Sequence, residues 1–400
     1  MQLKYVATTC PFCGTGCGLN LIISDGGVVG VAPYHRSPVG TGKLCMRGLH
    51  AAKAVSEYRI EVPVVGGLPA DWKKALTEAL KLKNYSGEDL AVYTSSRLTN
   101  EANYCIMRFA KEILKAGTIG TLVSGKVARG NVRINDLKKA DVALVFDDCM
   151  KRFPLTGNKL FYMQQNGGKI LYFGEESYTA IQADAKCIED ADGKLAISDE
   201  FKNLLKEAKN PVVIYSTTGK YAELAEETAK SCNAKTAVLY DTNNGRGAAE
   251  IGYIPSLDTL KATEKVPKAM LIFAETPMFR DDIYEELGEK LSKVELLVVV
   301  ASNASSLTDI ANVVLPVTSF AESEGSYTNW EGRVQKVSAA LTAPEGPKSP
   351  CEIIADLSGN AISYKDNAAI FADIKANIPA FKDVSYEQVQ KADGAFIEVI

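Results

Sequence analysis

Cys10-Pro11-Phe12-Cys13-Gly14-Thr15-Gly16-Cys17, answered after 27 further residues by Cys45, is the stretch on which the reading of this chain turns. It sets three thiolates on one tight loop and draws a fourth from a distant one, Gly40 to Cys45. A cubane cluster asks for that arrangement. Short x2 and x3 spacings wrap one side of four iron corners, and Gly14, Gly16 and Gly18 let the backbone turn around the sulfides. A structural zinc site also takes four cysteines, but zinc sites usually pair two short Cys-x-x-Cys hooks, where this chain offers one triple and one single. The candidate ligands of one [4Fe-4S] cluster are therefore Cys10, Cys13, Cys17 and Cys45. The other cysteines, Cys105, Cys149, Cys187, Cys232 and Cys351, are solitary in sequence and form no local site.

Composition narrows the remaining classes. With 400 residues, 46% of them apolar, the chain can bury a sizeable core in two or three domains. Lys and Arg total 45 against 49 Asp and Glu, and a net charge of -4 gives no general attraction to nucleic acid or anionic lipid. The amino terminus, Met1-Gln2-Leu3-Lys4-Tyr5, has no basic flank, apolar stretch or twin-arginine pair, so a cytoplasmic location is expected. The apolar run around Leu296 to Ala301 is too short to span a bilayer, so no direct membrane insertion is expected. Nine cysteines in such a setting point to metal ligation or buried thiols rather than disulfides.

Downstream of the cysteines the pattern is α/β. Leu19 to Ile23 and Val28 to Val31, split by Asp25-Gly26-Gly27, read as a hairpin in a small β-rich cap. Short apolar runs then alternate with amphipathic stretches, which is how a parallel sheet covered by helices is written. The strands expected are Leu90-Tyr93, Val142-Phe146, Ile170-Phe173, Val212-Tyr215, Ala237-Tyr240, Met270-Phe273 and Leu296-Val300. Helical spacing marks Glu101 to Leu114, Phe201 to Ala208, Tyr221 to Ser231 and Asp281 to Leu291. No glycine-rich stretch has NAD or ATP spacing: Gly14 to Gly18 lies between cysteines, and Gly125 to Gly130 fits neither phosphate-binding pattern.

With Gly42-Lys43-Leu44-Cys45-Met46-Arg47-Gly48 added, the cysteine spacing resembles the amino terminus of the molybdopterin oxidoreductases, in particular archaeal and bacterial formate dehydrogenase α subunits. Thr99-Asn100-Glu101-Ala102-Asn103-Tyr104 is similar to the helix start after their first central strand, and Asn243-Asn244 through Arg246-Gly247-Ala248 to Gly252 to a later glycine-rich turn. Asn312-Val313-Val314-Leu315-Pro316, Phe320-Ala321-Glu322 and Glu324 through Gln335 resemble the family's return segment, and the tail around Ile370-Phe371 and Tyr386-Glu387 is similar too. The resemblance implies a [4Fe-4S] cap over 1–58 and a first α/β domain over 59–115 plus 235–315. It further implies a second Rossmann-like domain over 116–234, and a return segment and tail over 316–400 packing on the cap.

The departures are as informative. Formate dehydrogenases ligate their metal through a Cys or selenocysteine followed by His on the loop after the Thr99-type helix, and here Gly120 to Gly130 holds neither thiol nor imidazole. The two histidines, His35 and His50, both fall near the cluster motif. Where relatives place a Gly-x-Asn turn against the pterin, this chain has Asp147-Asp148-Cys149, and their Asp-Pro-Arg is Gly174-Glu175-Glu176-Ser177. No Arg occupies Val238 to Thr242, where formate-specific relatives supply a substrate-binding guanidinium. The Lys two residues after the fourth cysteine is replaced by Arg47, which keeps a positive charge able to tune the cluster or to serve as an interdomain contact. Lys43 reads as a solvated charge, Cys105 as a packed core thiol and Cys149 as incidental. The chain stops where the family's last domain, a pterin-clamping β-barrel, would begin, a truncation resembling the carboxy-terminal region of the large iron-sulfur subunit of respiratory complex I.

These readings converge on a cytoplasmic iron-sulfur electron-transfer subunit of a multi-subunit oxidoreductase, itself non-catalytic. Its expected partners are other redox subunits of iron-sulfur, flavin or hydrogenase type. Molybdopterin and molybdenum or tungsten are expected to be absent. One rival is a catalytic pterin subunit whose last domain comes from another polypeptide. The other is a structural scaffold whose cluster only staples the cap.

Overall fold

Asp25 and Gly26 have φ values of 50° and 78°, the left-handed pair that a two-residue hairpin turn requires. They join Gly18–Ser24 to Gly27–Pro33, and Lys4–Thr9 adds a third antiparallel strand, with Leu19 and Leu21 turned into the core. This is the expected cap. The structure, a computed structural model, describes residues 2–188, 197–274 and 282–397.

Behind the cap lie two sheets. The first orders Ile254–Pro255, Ala116–Thr121, Gly87–Thr94, Ala269–Phe273, Leu296–Ala301 and Val313–Pro316 in parallel, then adds Val64–Val65 and Leu68–Pro69 antiparallel at its edge. The second is wholly parallel and runs Ala185–Ile188, Lys169–Gly174, Val142–Phe146, Pro211–Ser216, Lys235–Leu239. In both, chain order reverses beside the first strand, giving a switch point at the carboxyl ends of the strands. There the loops diverge and leave a crevice. One switch point lies between Gly87–Thr94 and Ala269–Phe273, the other between Val142–Phe146 and Pro211–Ser216.

All seven expected strands form, because each is an apolar run buried on both faces. The Glu101 helix runs Asn100–Arg108, capped by Thr99 Oγ1 accepting from Ala102 N–H at 3.1 Å, and continues as a π-turn Phe109–Leu114. Helices Asp199–Glu207, Ala222–Ser231 and Asp282–Leu291 match the rest, with Asp281 itself outside the described residues.

Two boundary expectations need correction. Ala116–Thr121 pairs with Gly87–Thr94, so the first lobe extends past 115, and Lys235–Leu239 pairs with Pro211–Ser216, so the second lobe extends past 234. The first of these strands, Ala-Gly-Thr-Ile-Gly-Thr, is too polar for periodicity to reveal. The tail also sits elsewhere than expected. Helices Pro350–Ser358 and Asn367–Asn377 lay Ile353, Ile354, Leu357, Ile370, Phe371 and Ile374 against the first lobe, over the Asn100–Arg108 helix, rather than on the cap. The return segment bonds the cap directly. Its strands Gly325–Thr328 and Arg333–Val337 pair with each other, Thr9 Oγ1 donates to Lys336 O at 2.9 Å, and Ser338 N–H donates to Thr8 Oγ1 at 3.1 Å.

Candidate metal centre

Cys10, Cys13 and Cys17 are buried and Cys45 is half-buried, and all four line one small cavity roofed by Leu44, Pro154 and Leu155. The loop closes on itself where Cys10 N–H donates to Cys17 O at 2.8 Å. Gly16 sits at φ 72°, and a Cβ there would fall 2.2 Å from Gln335 Oε1, so no other residue fits that turn. Every part of the fold holds this loop. Gln335 Nε2 donates to Gly16 O at 2.9 Å and Trp330 N–H to Gly14 O at 2.7 Å, both from the return segment. Gly14 N–H donates to Tyr240 O at 2.8 Å in the second lobe, and Arg97 of the first lobe donates to Pro11 O at 2.9 Å and Phe12 O at 2.5 Å.

Electrostatics call for a positive centre among these thiols. Burial, then the neighbouring thiols, pushes the Cys10 and Cys17 thiols well up, so four thiolates can coexist here only around a positive centre. Among the described residues no three His, Cys, Asp or Glu side chains are placed to hold a single metal ion. A cubane instead binds each thiolate at its own iron corner, farther apart than the ligands of one zinc. The donor set, four thiols on one cavity, fits that group.

Two cations face it. For Arg47, burial works to lower the pKa but the Cys13 and Cys45 thiols outweigh it and raise it, and the guanidinium donates to Arg152 O across to the second lobe. Lys159, on the helix Pro154–Gln165, was not signalled by any motif. It is 3% exposed, burial lowers its pKa, and Cys17 is among the groups that pull it back up. Lys43 is exposed as expected but engaged: its Nζ donates to Tyr162 Oη at 3.1 Å and stands over that ring.

The two switch points differ. At the first lobe a cavity of about 370 Å³ opens among Ser95, Arg97, Thr99, Phe273, Ser302 and Thr318, within the range of small-ligand sites. At the second lobe about 30 Å³ remains, space for about two waters. Arg152 reaches two of the residues that line it, donating to Thr218 Oγ1 at 2.6 Å and Asp241 at 2.5 Å. Tyr240 Oη donates to Ala128 O at 2.7 Å and holds down the 120–130 loop, which Lys126 N–H also ties to Thr217 O at 3.1 Å. Asp147, at φ 55°, keeps a buried oxygen without a partner and burial raises its pKa, whereas Asp148 turns away to accept from Thr179. Cys149 is buried and pushed up by burial, and Cys105 is packed in the first-lobe core, as their sequence contexts suggested.

The family model described as the molybdopterin oxidoreductase Fe4S4 domain matches residues 3–57, and the one described as molybdopterin oxidoreductase matches 66–360. The chain belongs to the molybdopterin oxidoreductase family. Among curated members, F420-dependent formate dehydrogenase 1 subunit alpha of Methanococcus maripaludis is 26% identical over 512 residues, covering 97% of this chain and 76% of that one. The corresponding subunit of Methanocaldococcus jannaschii is 26% identical over 515 residues, covering 98% and 76%. Formate dehydrogenase H of Escherichia coli is 21% identical over 523 residues, covering 97% and 73%. The first match places an iron-sulfur domain on the segment that carries the four thiols. No described helix is long and apolar enough to cross a membrane.

Proposed function

We propose that this molybdopterin oxidoreductase chain is a cytoplasmic electron-transfer subunit of a multi-subunit enzyme, and that its own pterin centre is not catalytic. Cys10, Cys13, Cys17 and Cys45 hold the [4Fe-4S] cluster, which supplies one-electron chemistry. Arg47 and Lys159 stabilise its reduced charge, and Leu44, Pro154 and Leu155 keep water off it. The observation that carries the reading is that four thiols line one cavity, while the 120–130 loop beside the second-lobe crevice holds neither thiol nor imidazole. That the relatives are named as subunits supports a role inside a complex with other redox subunits.

A second reading draws on the 370 Å³ first-lobe cavity. There a catalytic molybdenum or tungsten pterin would survive, its metal without a protein thiol from the 120–130 loop. Metal and pterin analysis of the anaerobically purified complex separates the two: iron alone supports electron transfer, and stoichiometric molybdenum or tungsten supports catalysis. A scaffold role predicts a cluster that no partner reduces.

A further inference from the structure

The chain carries a net charge of -4, yet residues 26–56 contain Arg36, Lys43, Arg47 and Lys53 and no Asp or Glu. A second acid-free stretch, residues 149–174, contains Lys151, Arg152, Lys159 and Lys169. The fold brings these stretches together over the metal centre. Lys43 reaches Tyr162, Arg47 reaches Arg152 O, and Pro154 and Leu155 share the cavity with Cys45. Among the described residues Arg36, Lys43, Lys53 and Lys151 have no carboxylate partner, unlike Lys265 and Lys268, which pair with Glu88 and Asp89 at the amino ends of the two central strands of the first sheet. Within this basic rim Met46 is 67% exposed and Leu49 41% exposed, both within four residues of Cys45, the least buried thiol.

We propose that this face docks an acidic one-electron carrier protein of ferredoxin type. The proposal rests on the electron-transfer reading above and names the partner of that same centre. An apolar patch ringed by one sign of charge suits a transient redox contact: the rim steers an oppositely charged partner, and the patch sets a small, quickly released interface. Anionic lipid would meet the same charge, but it exchanges no electrons, whereas Cys45 brings the centre closest to the surface inside this rim. In the step the reduced carrier loses one electron and the oxidised cluster gains it. No covalent bond forms or breaks, and no proton moves.

The test uses the intact holoprotein and a chemically reduced acidic ferredoxin, following cluster reduction by stopped flow between about 20 mM and about 500 mM salt. The rate should fall at least about tenfold over that range, and about as much at low salt in Lys43→Glu/Lys53→Glu or in Lys151→Glu. Lys265→Glu/Lys268→Glu, a charge change equal to that of the first double variant but at the amino ends of the central strands, should leave the rate unchanged. Iron and sulfide content with the dithionite-reduced EPR signal shows whether each variant keeps its cluster. A cluster-loaded protein whose rate ignores salt and both reversals overturns the docking proposal alone, as does a salt-independent rate together with cosedimentation on phosphatidylserine vesicles. Absence of any cluster in the wild type overturns the electron-transfer reading with it.

Discussion

Arg152 sets its guanidinium 2.5 Å from the carboxylate of Asp241 and so ties the chain after Val142–Phe146 to the loop after Lys235–Leu239. An open α/β sheet binds its ligand where strand order reverses. The same guanidinium bonds Thr218, and the backbone carbonyl of Arg152 accepts from Arg47 beside the thiols, so one residue links the second-lobe loops to the metal centre.

Asp241→Ala should therefore loosen the crevice without touching the cluster. Both partners are partly solvated, which limits the loss to about 1–2 kcal/mol. Chemical denaturation should show that shift with iron content unchanged. Loss of iron in this variant would show that the Arg152 link also holds the ligand loops.

Cys45→Ala should cost the cluster and destabilise the cap, because this thiol is the ligand that the Gly40 to Cys45 loop brings to the Cys10 to Cys17 loop. Iron content and the reduced EPR signal should vanish, and Cys187→Ala should retain both. Iron retained in Cys45→Ala and lost on changing another cysteine outside the four would refute the ligand assignment.

Glu101 gives the fold a pH dependence. Its carboxylate accepts Ser326 N–H and Ser326 Oγ, each at 2.8 Å, and burial pushes its pKa up to about 7. Because the unfolded chain gives up this proton first, near the ordinary Glu value, the native state binds more protons between about pH 4.5 and about pH 7. This group's contribution to stability is thus full in acid and falls as pH rises through that window, by on the order of 3 kcal/mol at most. Glu101→Gln should remove that slope. Thermal melts across the window check it, and an identical slope in the variant would assign the effect to another group.

The two cations should tune the cluster unequally. Removing positive charge disfavours the reduced, more negative state, so both Arg47→Gln and Lys159→Met should lower the reduction potential. Lys159 is buried while Arg47 reaches solvent, so the Lys159 shift should be the larger, on the order of tens of millivolts. EPR-monitored potentiometry reads both, and equal or opposite shifts would contradict this assignment.

Much of this was legible in the residues because the deciding interactions are local. The Cys10 to Cys17 spacing, the Asp25-Gly26 turn and the apolar strands from Leu90 to Val300 each carry their structure within a few residues. What was not legible depends on partners distant in sequence. Ala116–Thr121 is a strand only because Gly87–Thr94 and Ile254–Pro255 flank it. Lys159 faces Cys17 only because the second lobe closes on the cap. The Arg152 to Asp241 contact spans 89 residues, and each residue alone looks like an ordinary surface charge. Arg97 left one clue, its place just past the carboxyl end of the first central strand, where crevices form.

Elemental analysis of the anaerobically purified native complex, with pterin fluorescence after oxidation, tests the central claim most directly. The account predicts about four irons on this chain, a single reduced [4Fe-4S] signal, and neither pterin nor stoichiometric molybdenum or tungsten. Near-stoichiometric molybdenum or tungsten with pterin bound to this chain would contradict it and return the first-lobe cavity to a catalytic role.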